Sequence, residues 1–528
     1  MNINCNIIFI KLVGSFGAGF VSSSFRLTPL MVALALSVCP LQPLWAEPAA
    51  LSVQTPQTAH YRFHQDHVLG TSLDVVVAAP SETQARQAFA AILQEVNRLD
   101  QILSVWRTDS EISALNQTQH TQVSPELFEV IAACEAWRHQ TCGAFDARLG
   151  QVLTLWEQQQ QIVRLAPTEL HDLLQQIQAS SISLDPEQHT ISKDAAVQFA
   201  PDAYAKGYII DRALVSAQQT VPELQGLLID IGGDIRVWGQ SPQARGWQIG
   251  VRDPLVRADN TLPSQVLTLN DQAIAFSGKG ARELAGQSHL IDPQTGTPLN
   301  QIEQCVVVGT CAADADALAT ALAALSPTDG LQLIEQLVGY EAQMISQTGQ
   351  IYQSSGWHNL LSTPDSQPRL HNTASDSSAS WPAGYQAKLD LVIPKINVDK
   401  YRAPYVSVWV TDAQKKIVRT LAVWGKDQKW IDSNYVWWRR YGRQMDNLDA
   451  VAKPSRQPGQ YSMMWDGKDE KGQSVAAGKY LIHIETSREH GEHTYQTFEL
   501  DVAPTASTQN LPAKAEIGAL RLSFQRVI

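Results

Sequence analysis

The run Ser72-Leu-Asp-Val-Val-Val-Ala78 follows Leu69-Gly-Thr71 and reads as a strand. Ser81 and Gln84 then form a capping box. Behind it Phe89, Ile92, Leu93, Val96, Leu99 and Leu103 recur at helical spacing. Ser124-Pro125 is an N-cap followed by a first-turn proline; its helix carries Leu127, Ile131, Cys134 and Trp137 and stops near Gly143. Leu170, Leu173, Leu174 and Ile177 mark a further helix. Leu227 to Ile235 is an apolar strand interrupted by Gly232-Gly233, the signature of a bulge or a close backbone approach. Strands follow near Trp247–Val251, Val266–Ile274 and Cys305–Val308, then helices near 315–325 and 328–338. The elements mix without a regular βαβ alternation, so the fold class is α+β, of mixed sheets and helices.

The pattern changes after residue 362. Ser, Pro, Asp, Asn and Gln dominate 363–380, a linker. Residues 381–502 are rich in Trp, Tyr and β-branched residues. Tyr405–Val410, Ile417–Trp424, Tyr480–Glu485 and Tyr495–Val502 read as short strands, which predicts a small all-β, Ig-like sandwich. Trp465-Asp-Gly-Lys-Asp-Glu-Lys-Gly472 is a polar turn, and its Asp466 and Asp469 fit no EF-hand spacing. Trp409, Trp424, Trp430, Trp437 and Trp438 are expected in the core of this domain. Residues 503–528 are expected as a tail.

Length and charge narrow the picture. At 528 residues the chain is long enough for more than one domain. A formal net charge of −12 carries no nucleic-acid footprint. Residues 1–46 read as a secretory signal peptide: basic Lys11 and Arg26, the apolar Leu30–Leu36, and a cut after Ala46. The apolar run is short for a membrane span. Attachment of a lipid at Cys39, and so a peripheral or lipid-anchored association with a membrane, stays open. The expected location is periplasmic. After cleavage Cys134, Cys142, Cys305 and Cys311 remain, with no Cys-x-x-Cys zinc spacing and no pairing that sequence can choose.

Candidate chemistry concentrates between Ser288 and Leu322. Asp316 and Thr320 stand four apart in an Ala/Leu-rich run and so share a helix face. A carboxylate and a hydroxyl presented together can hold a hard cation such as Mg²⁺. The alternative is a favourable first-turn charge beside an ordinary helical threonine. His289, three residues before Asp292-Pro293, is placed to handle a proton. Lys206-Gly207 puts a flexible cation next to a position that allows close backbone approach. Ser104 to Asn116 is dense in hydrogen-bonding and stacking side chains; a polar loop over a core edge is the plain reading. No Gly-x-Gly-x-x-Gly opens a helix, so Gly232-Gly233 is not a dinucleotide fingerprint.

Together these pieces resemble the FAD:protein FMN transferase family, the ApbE-like flavin transferases, over roughly residues 60–362. The parts occur in the family's order: Gly70-Thr71, Ser104–Asn116, Gly143-Ala-Phe-Asp146, Ala203-x-Ala-Lys-Gly-Tyr208, Gly232-Gly-Asp234, Ser277-Gly278, His289-x-x-Asp-Pro-x-Thr-Gly296 and Ala315-Asp-Ala-Leu-Ala-Thr320. The resemblance implies an Mg²⁺-dependent enzyme that moves FMN from FAD onto a Thr or Ser of an exported acceptor protein of a redox system, releasing AMP. It implies metal contacts from the Asp316 and Thr320 side chains and the Ala203 carbonyl, and FAD contacts from Lys206, Trp106, Gly143, Ala144 and Phe145. His289 matches the family's proposed proton acceptor.

Departures from the family pattern are Leu69 for Met, Ala200 for Asp, and Phe276 in the usual Thr-Ser-Gly, which is expected to reshape the flavin pocket. Ala200 and Phe276 keep open a flavin-binding electron-transfer protein without transferase activity; a second alternative is an envelope scaffold whose β domain does the work. The C-terminal part looks like an uncharacterised exported bacterial domain family, and its turn resembles the Ig-like module of flagellar hook-capping proteins. Asp449-Ala-Val-Ala-Lys-Pro-Ser455 is similar to a flavin acceptor site with Ala452 in place of the middle Thr, which makes Ser455 a candidate for self-modification or part of a plain loop.

Overall fold

The computed structural model describes residues 59–158, 167–242, 246–255, 263–278, 283–284, 287–288, 290–362, 380–397, 402–425, 433–442, 452–453, 456, 458–470, 473–489 and 491–526. The signal segment, Cys39, the linker 363–379, Trp430, Asp449, Ser455 and His289 lie outside the described residues.

One eight-stranded sheet organises the first domain. Its strands are β1 (Ala59–Val68), β2 (Thr71–Ala79), β3 (Gly226–Ile231), β4 (Asp234–Gly239), β5 (Ala273–Gly278), β6 (Ile302–Gly309), β7 (Glu341–Ser346) and β8 (Ile351–Gln353). They lie side by side in chain order, and each pairing between neighbours is antiparallel. Alternation decides the faces. Leu73, Val75 and Val77 of β2 point to a core shared with helices α1 (Glu82–Leu103), α2 (Glu111–Asn116), α3 (Pro125–Gln140), α6 (Asp202–Thr220) and α7 (Ala312–Ala324). Two shorter helices, α4 (Gly150–Gln158) and α5 (Pro167–Ala179), precede α6, and α8 (Pro327–Glu335) follows α7. On the other face Ile235, Val237, Ile274 and Val306 pack against the hairpin Trp247–Val251/Gln265–Leu269 and Trp357.

Several helix boundaries follow the predicted chemistry. Ser81 caps α1 with Gln84 reciprocating, and Ser124 caps α3 ahead of Pro125. Three local expectations are corrected. Gly232-Gly233 is the two-residue turn of the β3–β4 hairpin and not an interruption within one strand: φ is +63° and +102°, the left-handed conformation that a tight hairpin turn needs and glycine adopts without strain. The end of the Ser104–Asn116 segment is helix α2, because Ser110 accepts from the Ser113 N–H and caps it. Helix α7 begins at Ala312, ahead of the expected 315, because its cap comes from α6.

The C-terminal part is all-β, as expected. Strands β9 (Tyr385–Ile393), β10 (Tyr405–Asp412), β11 (Ile417–Trp424), β12 (Gly459–Trp465), β13 (Gly478–Ser487), β14 (Thr494–Val502), β15 (Ser507–Leu511) and β16 (Leu520–Arg526) form a four-stranded sheet in the order β12-β9-β16-β15 and a five-stranded one. In the latter the short strand Ala452–Lys453 precedes β11-β10-β13-β14. Their inner faces share one apolar core. Residues 503–528 are therefore no tail. Leu520, Leu522 and Phe524 alternate inward and complete that core, and β16 pairs with β9 through seven residue pairs from Tyr385↔Arg526 to Leu391↔Leu520. Trp409, Trp424 and Trp437 are buried, consistent with a core role. The Asp466 and Asp469 carboxylates accept backbone N–H groups of Lys468 and Gln473, as a structural turn requires.

One buried group in the first domain is conspicuously unmatched. Gln343 on β7 is fully buried, and among the described residues neither its amide nitrogen nor its oxygen has a hydrogen-bond partner. It stands opposite Val306, on the face of the hairpin core. Leaving such a group unsatisfied costs about 1–3 kcal/mol. Gln343→Met, similar in shape, is expected to raise the melting temperature by about 2–4 °C for each kcal/mol recovered. A fall in the thermal melt would instead mean that a buried water satisfies the amide.

Candidate active site

Helices α6 and α7 cross at the site, and a glycine sets their distance. A Cβ on Gly207 would lie 2.2 Å from the Ala312 carbonyl oxygen and 2.6 Å from Ala313 Cα. One turn further along α6, Asp211 accepts hydrogen bonds from the N–H groups of Ala312 and Ala313, each 3.0 Å long. Cys311, at the N-cap of α7, makes no side-chain cap. α6 thus supplies the cap of α7, which satisfies its orphan amides and starts the helix early. Burial pushes the Asp211 carboxyl up against the pull of those two amides and of Arg236. At the same end of α7, Asp314 accepts from Trp137 Nε1 at 2.8 Å and from the Tyr340 hydroxyl at 2.9 Å.

Asp316 sits one turn into α7 and is 3% exposed. The Gly207 backbone amide favours its ionised form, and among the described residues its Oδ2 has no hydrogen-bond partner. Burial pushes its carboxyl well above the usual carboxylate range; the Lys206 ammonium opposes this and the nearby Asp234 carboxylate adds to it. In a regular helix the Gly207 N–H pairs with the Ala203 carbonyl, so that carbonyl and Asp316 converge on one turn of α6. Thr320, one turn beyond Asp316, places its Oγ1 3.1 Å from Ser277 Oγ on β5.

Asp234 at the head of β4 was not among the residues singled out as ligands, although it belongs to the Gly232-Gly-Asp234 motif. Its Oδ2 lies 2.5 Å from Lys206 Nζ and its Oδ1 accepts from the Phe276 N–H at 3.1 Å. Its one sequence signal is an acid directly after a glycine turn, at a strand position that alternation turns inward. Phe276 itself packs against the hairpin core on the sheet face opposite α7, while Ser277 turns to Thr320. The expectation that Phe276 reshapes the flavin pocket therefore finds no support on the α7 face.

The remaining motif segments are tied to the lead-in of α6. Asn116 clamps Phe199 from both sides, donating to its carbonyl at 2.9 Å and accepting from its N–H at 2.7 Å. The Ala200 N–H donates to the Ala147 carbonyl at 2.7 Å. The Ser104–Asn116 segment, the loop after α3 and the start of α6 are thereby joined. Trp106, between α1 and α2, is 59% exposed, unusual for so large an apolar surface. Gly143 turns the chain at φ +84°. Ala144 and Phe145 are buried in the helical core, and the Phe145 N–H donates to Thr141 Oγ1 at 3.0 Å. The turn after His289 is well built: Asp292 accepts from the Gln294 N–H and the Thr295 hydroxyl, each at 2.9 Å, and the Gly296 carbonyl accepts from Trp156 Nε1 at 2.6 Å.

The donors fit a hard cation. They are oxygen only, one is a buried carboxylate oxygen without a partner, and among the described residues no group of three or more His, Cys, Asp or Glu gathers to form a denser cage. Oxygen donors of this kind fit Mg²⁺, which keeps waters and takes substrate phosphate oxygens.

A family model described as the ApbE family matches residues 69–344. This chain belongs to the ApbE family. An FAD:protein FMN transferase of Chlamydia muridarum is 31% identical over 255 residues, covering 46% of this chain and 77% of the relative. One from Haemophilus influenzae is 27% identical over 326 residues, covering 58% and 89%. The ApbE crystal structure from Thermotoga maritima matches with a TM-score of 0.52 and 26% identity, over 58% of this chain and 100% of that one. A second model, described as a predicted periplasmic protein (DUF2271), matches residues 386–519 and so includes most of the segment first read as a tail. No helix among the described residues is long and apolar enough to cross a membrane. The ApbE match runs from β2 into β7 and contains α6 and α7, hence every residue of the crossing described above.

Proposed function

We propose that this ApbE-family protein is a periplasmic, Mg²⁺-dependent FAD:protein FMN transferase. It moves FMN from FAD to a Thr or Ser hydroxyl of an exported acceptor protein and releases AMP. The observation that carries this reading is the buried Asp316 carboxylate with an unpartnered oxygen, facing Lys206 across the α6–α7 crossing.

Asp316, Thr320 and the Ala203 carbonyl would hold Mg²⁺. When bound, the ion neutralises pyrophosphate charge and stabilises the leaving phosphate. Lys206 offers its ammonium to FAD, and the exposed Trp106 ring offers a face for the flavin. At Gly143, Ala144 and Phe145 the backbone, rather than the buried side chains, lines the cofactor. The acceptor oxygen bonds to the FMN-side phosphorus as the bond from that phosphorus to the bridging oxygen breaks and AMP departs. His289 takes the hydroxyl proton.

The test is a denaturing gel viewed for flavin fluorescence, with FAD, Mg²⁺ and an acceptor peptide carrying Asp-x-x-Thr-x-x-Thr. A fluorescent acceptor band, lost without Mg²⁺, is expected. His289→Ala is expected to slow its appearance by about 10²–10⁴-fold. Flavin binding with no covalent band on any acceptor offered would overturn the transferase reading. A band on the enzyme itself, abolished by Ser455→Ala, would add self-modification.

A further inference from the structure

The proposed reaction gives Lys206 a role and leaves Asp234 without one. Asp234 is 1% exposed. A carboxylate buried so deeply is retained only where its oxygens are held. Oδ1 accepts from the Phe276 N–H of β5 at 3.1 Å, and Oδ2 forms an ion pair with Lys206 Nζ of α6 at 2.5 Å. The position of Asp234 is itself enforced. A Cβ on Gly232 would lie 2.7 Å from Thr71 Cγ2, so the β3–β4 turn is wedged against the Gly70-Thr71 corner. The Gly233 N–H also donates to Asp230 Oδ1 at 2.8 Å, closing the turn.

Lys206 pairs with one buried carboxylate, Asp234, and its charge also favours the ionised form of a second, Asp316. Lys206 Nζ lies 2.5 Å from Asp234 Oδ2, and among the described residues Asp316 Oδ2 has no hydrogen-bond partner. The Lys206 side chain remains 31% exposed. A lysine is a point charge on a flexible stem, so pinning its head removes much of the ordering cost of binding an anion.

We propose that Asp234 is the positioning residue for Lys206: it clamps the ammonium to the sheet so that its exposed side meets an anionic part of FAD. This rests on the reading of Lys206 as an FAD contact.

Asp234→Asn isolates the clamp. The asparagine oxygen can still accept from the Phe276 N–H, but its amide nitrogen cannot accept from Lys206. FAD affinity is measured on the full chain by quenching of flavin fluorescence, in saturating Mg²⁺ and without acceptor. Lys206→Met and Asp234→Asn are each expected to weaken FAD by about tenfold. The double variant is expected to be no weaker than Lys206→Met alone, because the two residues act as one unit. The Mg²⁺ concentration giving half-maximal transfer should be unchanged in Asp234→Asn. Thermal melts confirm that each variant is folded.

Three results would overturn the inference. Losses that simply add would show that Asp234 acts independently of Lys206. Full FAD affinity in Asp234→Asn, with Lys206→Met impaired, would remove the clamp and leave the reading of Lys206 intact; a shifted Mg²⁺ requirement there would make Asp234 a metal ligand. Full affinity in Lys206→Met would remove the FAD reading of Lys206 and the inference with it.

Discussion

Asp316→Asn is expected to abolish measurable FMN transfer while making the metal-free protein more resistant to heat. The two effects share one cause. Asp316 is buried, and burial raises its carboxyl well above the usual range. A carboxyl that binds its proton more tightly folded than unfolded destabilises the fold as pH rises above about 4, the value of an unfolded aspartate. The penalty grows until pH passes the folded value and is then constant. The advantage of asparagine should therefore widen from acid toward neutral pH in buffer containing a chelator, by about 2–4 °C for each kcal/mol recovered. Lys206 is not stranded by the change, because Asp234 remains its counter-ion. Mg²⁺ should reverse the order. It should stabilise the wild type, most at higher pH where Asp316 is more readily ionised, and leave Asp316→Asn unmoved. Loss of the ion's several kcal/mol of charge stabilisation corresponds to about 10³-fold or more in rate. Thermal melts over pH with and without Mg²⁺, beside the gel assay, decide the matter; a wild type indifferent to Mg²⁺ at every pH would remove Asp316 from the metal site.

Gly207→Ala is expected to cost both fold and activity, against what helix propensity alone predicts. In an exposed helix the change would favour folding by about 1 kcal/mol. At this position the new methyl meets the Ala312 carbonyl and Ala313 Cα, backbone atoms that cannot rotate away. α7 has to move from α6, and overpacking of this kind costs about 1–3 kcal/mol. The movement also stretches the Asp211 hydrogen bonds to Ala312 and Ala313 and parts Asp316 from the Gly207 N–H. A displacement of about 1 Å at a reacting centre can cost 10²-fold in rate. The expected result is a lower melting temperature, a higher Mg²⁺ requirement and transfer reduced by about 10²-fold. Unchanged kinetics would mean that the crossing tolerates a wider gap than its contacts indicate.

Local grammar was readable along the chain. The capping box at Ser81, the Ser124-Pro125 start, the alternation in β2 and the turn chemistry at Trp465–Gly472 all rest on neighbours within a few residues, so the sequence by itself determined those elements, the α+β class and the two-part organisation. It also determined that Asp316 and Thr320 share a helix face, wherever that helix is placed. Errors arose where partners are distant. Residues 503–528 look like a tail until β16 finds β9, more than a hundred residues earlier, and Leu520, Leu522 and Phe524 find a core. The start of α7 is decided by Asp211, which no capping rule within α7 can supply. Asp234 gains its partners only when β4 lies beside β5 and beneath α6. Pairing, burial and the electrostatics of a buried carboxylate depend on contacts between segments far apart in sequence, and the tertiary structure alone decided them.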